Sequence, residues 1–275
     1  MKYKYTKTQI TVDKLEDYSK LLSSVFVNTN KFTQAFLYWQ YAKNPEGMAL
    51  GFDAYFEGKL VAHYVTLPVC YLINGKKTKG LLSLNTAVHP KHQGKKLFTQ
   101  LAQKTFDEAK LLGYDFIIGV ANQNSTHGFI KKLGFYLISP LDVKIGFGKL
   151  NLKIKQSYKA KPFWSLKTLK WRLSNPYVSY FKNRNQVFVL AKRYGLYAQI
   201  YNIDDTLNLD NNLIKKAPFF KIWVGLGKKE KAFFTTFPSI LKPAPLNLIF
   251  KDLNGNLPIL KPNDILFELI DFDAY

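Results

Sequence analysis

The chain has very little cysteine and no long apolar run. Cys70 is the only cysteine in 275 residues, which excludes an internal disulfide and favours a reducing compartment. No apolar stretch approaches the length of about 18 residues that a transmembrane helix needs. The amino-terminal stretch also lacks the apolar segment of a signal peptide. We therefore expect a soluble, cytoplasmic protein without membrane insertion.

Acidic residues are scarce compared with basic ones. The chain has 40 Lys and Arg against 19 Asp and Glu, which gives a net charge of +21. Such a surface attracts polyanions: nucleic acids, anionic membranes or substrates rich in phosphate. No basic tail, RNP motif, helix-turn-helix signal or arginine-rich stretch is present, so nucleic acid is not the partner we expect. The four histidines lack the spacing of a metal site, and we predict no metal.

Apolar and aromatic residues are abundant, at 47% and 16% of the chain, which is enough for a sizeable core. Their periodicity and the turn residues between them define the first half of the chain. They predict, in order, helices at 11–28 and 32–43, strands at 49–56, 60–68, 69–73 and 79–89, a helix at 94–112, a strand at 114–121, a helix at 125–132 and one or two strands within 135–147. Hairpins followed by a strand–helix–strand crossover indicate an α/β fold with a mixed sheet.

The composition shifts near residue 149, where a basic and polar stretch at 149–161 is typical of a connection. The second half again runs through hairpin, helix and strand. It has predicted helices at 163–173 and 206–216, and strands at 177–182, 186–193, 196–203, 219–224, 246–251 and 265–272. This order is similar to a degenerate copy of the first half. We therefore predict two domains, 1–149 and 150–275.

One stretch organises the first domain: an apolar strand runs into a turn at Gly94 and then directly into an amphipathic helix. The sequence of this junction is VHPKHQGKKLF. The start of a helix presents unpaired backbone N–H groups and a partial positive charge. The junction therefore predicts a site for a phosphate or a diphosphate.

These segments together resemble a known superfamily. The strand LLSLNTAVHP, the turn KHQGKKLF, the strand YDFIIGVAN and the closing segment NSTHGFIKKLGF resemble the acyl-CoA-binding core of the GNAT N-acyltransferases. The turn of that superfamily has the form Q/R-x-x-G-x-G/A, and this chain departs from it at Lys91 and Lys96. The resemblance covers roughly residues 10–147. It implies a GNAT fold with splayed central strands, followed by a second, degenerate GNAT-like half.

The resemblance also implies a co-substrate, acyl-CoA, which lies where strands 79–89 and 114–121 separate. Backbone amides of the turn then hold its diphosphate, and main-chain groups of the first strand pair with its pantetheine arm. The implied CoA-binding residues are Ala87, Val88, Gln93, Gly94, Lys95, Lys96, Leu97, Phe98, Asn122 and Asn124.

The catalytic groups are where the chain departs most from the superfamily. Many members place a tyrosine, the general acid, at the position of Ile130, which has no proton to donate. The resemblance implies direct attack of an amine on the thioester, and a base assists such a step. We assign His63 as the candidate base, because its ordinary pKa suits the task, and Asn85 and Thr86 as residues that position the amine or a water. The alternative for all three is a structural role in the interior.

Acceptor specificity is expected near the aromatic second helix. Tyr38, Trp39 and Tyr41 can stack on a base or a sugar ring, or they can belong to the core, and His127 lies on the other side of the predicted cleft. The layout of the chain is similar to N-acyltransferases of nucleotide-linked amino sugars, such as a dTDP-linked 3-amino-3,6-dideoxyhexose. That implies a role in synthesis of lipopolysaccharide O-antigen or a related surface polysaccharide.

Two alternatives to this function stay open. The first is the same chemistry on another amine, such as an aminoglycoside, a peptide or a protein. The second is a basic nucleic-acid-binding protein in which the acyltransferase fold is vestigial, and Ile130 is the residue that favours it.

Overall fold

Two mixed β-sheets form the framework of this chain in its computed structural model. The structure describes residues 2–26, 29–148, 150, 158–183, 186–191, 195–202, 218–227, 233–236 and 245–272. The helices within these ranges are α1 (Val12–Val25), α2 (Gln34–Ala42), α3 (Leu97–Leu111), α4 (Gln123–Leu133) and α5 (Leu166–Leu173). The strands are β1 (Lys4–Lys7), β2 (Leu50–Phe56), β3 (Lys59–Ile73), β4 (Lys76–Val88), β5 (Phe116–Ala121), β6 (Tyr136–Pro140), β7 (Asp142–Phe147), β8 (Ala160–Pro162), β9 (Tyr180–Asn183), β10 (Gln186–Ala191), β11 (Leu196–Asn202), β12 (Phe220–Leu226), β13 (Phe233–Thr236), β14 (Asn247–Asp252) and β15 (Phe267–Glu268).

The first sheet has the strand order β1-β2-β3-β4-β5-β14-β6, and β8 pairs with the far end of β3. Its one parallel pair is β4 with β5, and α3 makes the crossover between them. The other described pairs of this sheet are antiparallel. The predicted α/β class with a mixed sheet and a strand–helix–strand crossover is confirmed.

The second sheet has the order β13-β7-β12-β11-β10-β9, with β15 paired to β12. Here β11 and β12 are the parallel pair. A degenerate GNAT-like second half is therefore confirmed at the level of fold. The helix predicted at 206–216 lies outside the described residues.

The two sheets exchange strands along the sequence. Strand β7 follows β6 directly but pairs with β12 and β13 of the second sheet. Strand β14 comes from the second half and lies between β5 and β6, in register from Asn247 opposite Ala121 to Asp252 opposite Phe116. A cut at residue 149 would separate both strands from their sheets. The division into domains 1–149 and 150–275 stays a prediction.

Several strands differ from their predictions. The runs 60–68 and 69–73 form one continuous strand, β3, which contains Pro68. Proline is tolerated there because pairing with β2 ends at Thr66 and pairing with β8 begins at Tyr71, so this edge of Pro68 has no partner strand. The strand predicted at 265–272 was wrong in length: β15 has two residues, Ile265 forms an isolated bridge with Ala160, and a turn of 3-10 helix follows at Leu269–Asp271.

Hydrophobic cores cover both faces of the first sheet. Helices α3 and α4 pack on one face, whereas α1, α2 and the second sheet share the other. The halves meet at two tryptophans, Trp39 of α2 and Trp171 of α5, whose rings stack at 5.1 Å. Each indole N–H donates to the backbone carbonyl of the other residue, at 3.0 and 3.1 Å. Within the described part of the chain, no helix is long and apolar enough to cross a membrane.

The strand exchange predicts that the first sheet depends on β14 for stability. Phe250 of β14 is 1% exposed and stacks on Phe116 of β5 at 5.2 Å. Phe250→Ala should lower the free energy of unfolding by about 3–5 kcal/mol, because it leaves a cavity in the core. Chemical denaturation of the full chain measures this loss. Phe219→Ala, at a phenylalanine that is 76% exposed, is the control. Equal effects of the two substitutions would contradict the assigned packing of β14.

Candidate active site

A gap opens between β4 and β5 because their pairing stops early. The parallel register runs from Gly80 opposite Phe116 to Ser83 opposite Gly119, although β4 continues to Val88. Beyond Ser83, the edge of β4 that faces β5 has no described partner strand. Its main-chain N–H and C=O groups are therefore available to another molecule.

A β-bulge in β4 accompanies this separation. On the neighbouring strand β3, His63 pairs with Ala87 and Val65 with Leu84, so Asn85 and Thr86 together oppose a single residue. Asn85 has a left-handed backbone with φ of 46°. Asparagine is one of the few residues besides glycine that tolerates this conformation. The bulge turns β4 away from β5 and leaves Asn85 and Thr86 half-buried at the gap.

The turn after β4 ends at the amino terminus of α3. The amide of His89 donates to Val61 O at 2.8 Å, and a turn of 3-10 helix follows at Pro90–His92. The first backbone bond of α3 runs from Gln100 N to Lys96 O at 3.1 Å. No side chain caps this helix, and its first turn has no acidic residue. Its leading amides and the positive end of its dipole are thus open to an anion.

Gly94 and Lys96 shape this turn through left-handed backbones, with φ of 75° and 61°. A Cβ placed on Gly94 would meet open space, so a ligand can approach the backbone of the turn from this side. Lys95 and Lys96 are exposed there, as is Lys91, and they add positive charge to the helix end. These features fit a diphosphate, which backbone amides and lysines bind well.

The other residues predicted to bind CoA surround the same junction. Ala87 is buried, Val88 is half-buried and its carbonyl lies 3.5 Å from Gln93 Nε2. Leu97 belongs to the core under α3. Phe98 packs edge-on against Phe129 of α4 at 5.0 Å. Their roles in binding CoA stay predictions.

Asn122 and Asn124 lie at the start of α4, after β5. Asn122 is the cap of that helix and accepts from Ser125 N at 2.9 Å. Asn124 is exposed, as is His127 one turn further along. The position of the missing superfamily tyrosine, Ile130, lies on the same helix. The assignments of Asn122 and Asn124 to CoA, and of His127 to the acceptor, stay predictions.

His63 lies beneath the gap and is fully buried. Its Nδ1 is 2.7 Å from Asp53 Oδ1, and its Nε2 is 3.1 Å from the hydroxyl of Tyr41. Asn85 Nδ2 donates to the same hydroxyl at 3.0 Å. In this arrangement both ring nitrogens of His63 are engaged inside the protein. Direct contact between His63 and a substrate amine would require these side chains to move.

Of the three aromatic side chains of α2 that were predicted to contact the acceptor, one is exposed and two are buried. Tyr38 is 45% exposed and is free to contact a ligand. Trp39 and Tyr41 are 6% and 0% exposed. In these positions they form part of the core, which is the alternative that the sequence left open. Stacking of either ring on a substrate would require it to leave that core.

Sequence reasoning missed two members of the buried network, Asp53 and Tyr18. Asp53 in the strand LGFDAYF is 1% exposed and accepts from the hydroxyl of Tyr18 at 2.6 Å. A carboxylate at an inward position of an apolar strand was the available signal, because such a group needs partners. The turn at Glu57–Lys59 joins β2 to β3 and places Asp53 opposite His63 in the hairpin.

A small, partly open pocket lies away from the bulge, between β3, the end of α2 and α5. The guanidinium of Arg172 lies 4.8 Å from the ring centre of Trp171 at this pocket. The carboxylate of Asp271 accepts hydrogen bonds from Trp164 Nε1 and from the amide of Glu268. Burial raises the pKa of Asp271 to about 7. Among the described residues, no group of three His, Cys, Asp or Glu side chains is arranged to hold a metal ion.

Known proteins that are similar to this chain in sequence pattern or in fold include acetyltransferases. Residues 8–138 match the family model described as an acetyltransferase (GNAT) domain, which is slightly less than half of the chain. Within these residues the chain is therefore similar to a GNAT acetyltransferase domain. A search of curated proteins found no match.

Solved structures share the fold across nearly the whole chain. A probable N-acyltransferase from Enterococcus faecalis V583 is similar over 92% of this chain and 73% of its own, with 7% identity and a TM-score of 0.61. A GCN5-related N-acetyltransferase from Anabaena variabilis ATCC 29413 is similar over 91% of this chain and 73% of its own, with 11% identity and a TM-score of 0.59. Eis1 from Mycobacterium abscessus is similar over 92% of this chain and 74% of its own, with 9% identity and a TM-score of 0.57. Such low identities establish the fold alone.

The open turn at Gly94 predicts a specific loss of CoA binding in Gly94→Glu. The new carboxylate would place negative charge where the diphosphate is expected, and CoA affinity should fall about a hundredfold, or about 2.7 kcal/mol. Isothermal titration calorimetry with CoA measures the loss. The matched control is Gly58→Glu, because Gly58 has φ of 76° and also faces open space, in the β2–β3 turn. Unchanged affinity in Gly94→Glu, or an equal loss in both variants, would refute the placement of CoA.

The buried carboxyl of Asp271 predicts a pH dependence of stability. Its pKa in the folded chain, about 7, lies above the ordinary value of 3.8, so the folded state holds this proton more tightly. Its contribution to stability is complete below the ordinary pKa and is lost as the pH rises towards 7. Relative to Asp271→Asn, the wild type should lose up to about 4 kcal/mol over that window. Unfolding curves at several pH values check this, and a constant difference between the two proteins would contradict it.

Proposed function

We propose that this chain transfers an acyl group from acyl-CoA to the amino group of a nucleotide-linked amino sugar, with dTDP as the first nucleotide to test. The observation that supports transfer from acyl-CoA is the gap between β4 and β5, which leads to the uncapped start of α3. A thioester carrier with a diphosphate matches both parts: a strand edge for its arm and helix amides for its phosphates. The GNAT domain match at residues 8–138 supports the same chemistry.

The reaction is a direct displacement at the thioester. The amine nitrogen attacks the carbonyl carbon, a C–N bond forms, and the C–S bond breaks to release the CoA thiolate. The nitrogen loses one proton, and the thiolate gains one from solvent or from the protein. A thiolate is a tolerable leaving group, because thiols have pKa values of about 8.5. This is why Ile130, in the position of the usual acid, is compatible with turnover.

Two contributions of the protein support catalysis in this proposal. A main-chain N–H near Ala87 or Val88, on the unpaired edge of β4, donates to the thioester oxygen and stabilises the negative charge that develops there. One such donor is worth about 3–4 kcal/mol. The half-buried side chains of Asn85 and Thr86 at the bulge contact the amine.

The acceptor part of the proposal is supported by charge and by layout. The net charge of +21 favours encounter with substrates that carry several phosphates, and both acyl-CoA and a nucleotide diphosphosugar are of that kind. Tyr38 of α2, which is 45% exposed, supplies an aromatic surface for a base or a sugar ring. Synthesis of a surface polysaccharide would consume the amide product.

A substrate screen tests the proposal directly. Several acyl-CoAs are mixed with dTDP-linked and UDP-linked amino sugars, an aminoglycoside and a peptide, and the products are identified by mass spectrometry. Acylation of a nucleotide-linked sugar amine supports the proposal. Acylation of the aminoglycoside or the peptide alone would replace the acceptor, and no product with any amine would contradict the proposed activity.

Ligand-induced stabilisation separates the enzyme from a nucleic-acid-binding protein. CoA and dTDP should each raise the melting temperature of the wild type, because each binds the folded state. An increase with an oligonucleotide and none with CoA would favour the nucleic-acid alternative.

A further inference from the structure

A continuous chain of hydrogen bonds joins a buried carboxylate to the bulge of β4. It starts at Asp53 on β2, passes through His63 on β3 and Tyr41 on α2, and ends at Asn85 on β4. The first three residues are at most 1% exposed. Asn85 is half-buried, so it is the member of this chain that a substrate in the gap can contact.

The direction of the hydrogen bonds is fixed at the carboxylate end. The amide of Gln9 donates to the oxygen of Tyr18 at 3.1 Å, so the hydroxyl proton of Tyr18 is directed to Asp53 Oδ2. The hydroxyl of Thr8 donates to Asp53 Oδ1 at 3.3 Å. Asp53 thus acts as an acceptor on both oxygens, and the proton between it and His63 is on Nδ1.

The direction is equally defined at the other end. Asn85 donates one amide hydrogen to Gln40 Oε1 at 2.7 Å and the other to the hydroxyl of Tyr41. Tyr41 has a single proton, which then points to His63 Nε2. Every bond of the chain is consistent when His63 is neutral and carries its proton on Nδ1.

This pattern determines what Asn85 offers to the gap. Both of its amide hydrogens are used inside the protein, and its Oδ1 has no hydrogen-bond partner in the part of the chain that the structure describes. A carbonyl oxygen at the bulge can accept a hydrogen bond from an amine N–H. If the side-chain amide of Asn85 were rotated by 180°, it would present N–H donors to the gap. Such donors cannot accept a hydrogen bond from an amine N–H.

We propose that Asn85 Oδ1 orients the acceptor amine, and that Asp53, His63 and Tyr41 are positioning residues that hold the Asn85 amide in this orientation. The substrate part of this inference rests on the proposed acyl transfer. His63 then serves the reaction from the interior, through Tyr41, and does not need to touch the amine.

The groups that face His63 keep fixed hydrogen-bonding roles in this pattern. Asp53 approaches from β2, Tyr41 from α2, and Tyr18 of α1 stacks on the imidazole at 4.3 Å. Burial raises the pKa of both phenols well above the usual range, so both remain neutral hydroxyl donors.

NMR of the full chain with labelled histidine and asparagine tests the hydrogen-bond pattern without any substrate. His63 should carry its ring proton on Nδ1. In Tyr41→Phe the signals of His63 Nε2 and of the Asn85 side-chain amide should both shift, because each group loses its contact with the Tyr41 hydroxyl, whereas Nδ1 should keep its proton. An Nε2–H tautomer in the wild type, or Asn85 amide signals that are unchanged in Tyr41→Phe, would overturn the inference.

Kinetics with the acceptor found in the screen test the consequence for the substrate. Tyr41→Phe should raise the KM of the amine about tenfold and leave the KM of acyl-CoA unchanged. Tyr71→Phe is the matched control, since Tyr71 is also buried, at 3% exposure, but lies near the other end of β3, opposite Thr78 of β4. Equal effects in both variants, or an increase in both KM values, would refute positioning. If no amine is acylated by the wild type, the proposed function fails and the orienting role of Asn85 fails with it, whereas the NMR result still decides the hydrogen-bond pattern.

Discussion

The separation of β4 from β5 is the constraint on which the site depends. Two neighbouring parallel strands would normally pair along their full length, because unpaired backbone groups are costly when they are buried. Here the pairing ends at Ser83 and Gly119, and the bulge at Asn85 keeps the strands from closing again. A left-handed residue outside glycine costs about 1 kcal/mol or more. The chain therefore maintains an opening that a ligand with its own hydrogen-bonding groups can fill.

Interactions on both sides of the opening hold it in place. On the sheet face that carries α1 and α2, the bulge is tied by Asn85 to Gln40 and Tyr41 of α2. Helix α2 is in turn fixed to α5 by Trp39 and Trp171. On the other side of the gap, β5 is paired along its length with β14 from the second half of the chain. The second half thus supports the first sheet as well as forming its own.

The sequence predicted the elements that depend on local patterns. Helices α1 and α2 were predicted from the helical spacing of apolar residues, and the structure shows that threonine side chains, Thr11 and Thr33, cap them. The hairpin at Asn74-Gly75 and the crossover through α3 were also predicted correctly, because turn residues and periodicity determine them. The turn at Gly94 was recognised from the same local signals.

The sequence did not predict features that depend on distant pairing. A strand such as 246–251 shows its apolar pattern but not its partner, so the location of β14 between β5 and β6 could not be deduced. The aromatic residues of α2 could belong to the core or contact a ligand. The sequence did not decide between these roles, because Trp171, the partner of Trp39, lies 132 positions further along the chain. His63 was identified as a candidate, whereas its link to Asn85 through Tyr41 needed three elements in their folded positions.

Hydrogen exchange with and without CoA tests the central claim most directly, because it reads the backbone amides themselves. The claim is that the free amides at residues 94–98 and the unpaired edge of β4 bind the thioester carrier. Addition of CoA should slow exchange in these two segments and leave the pocket beside Arg172 unaffected. Protection confined to that pocket, or no protection at residues 94–98 when CoA is saturating, would contradict the account.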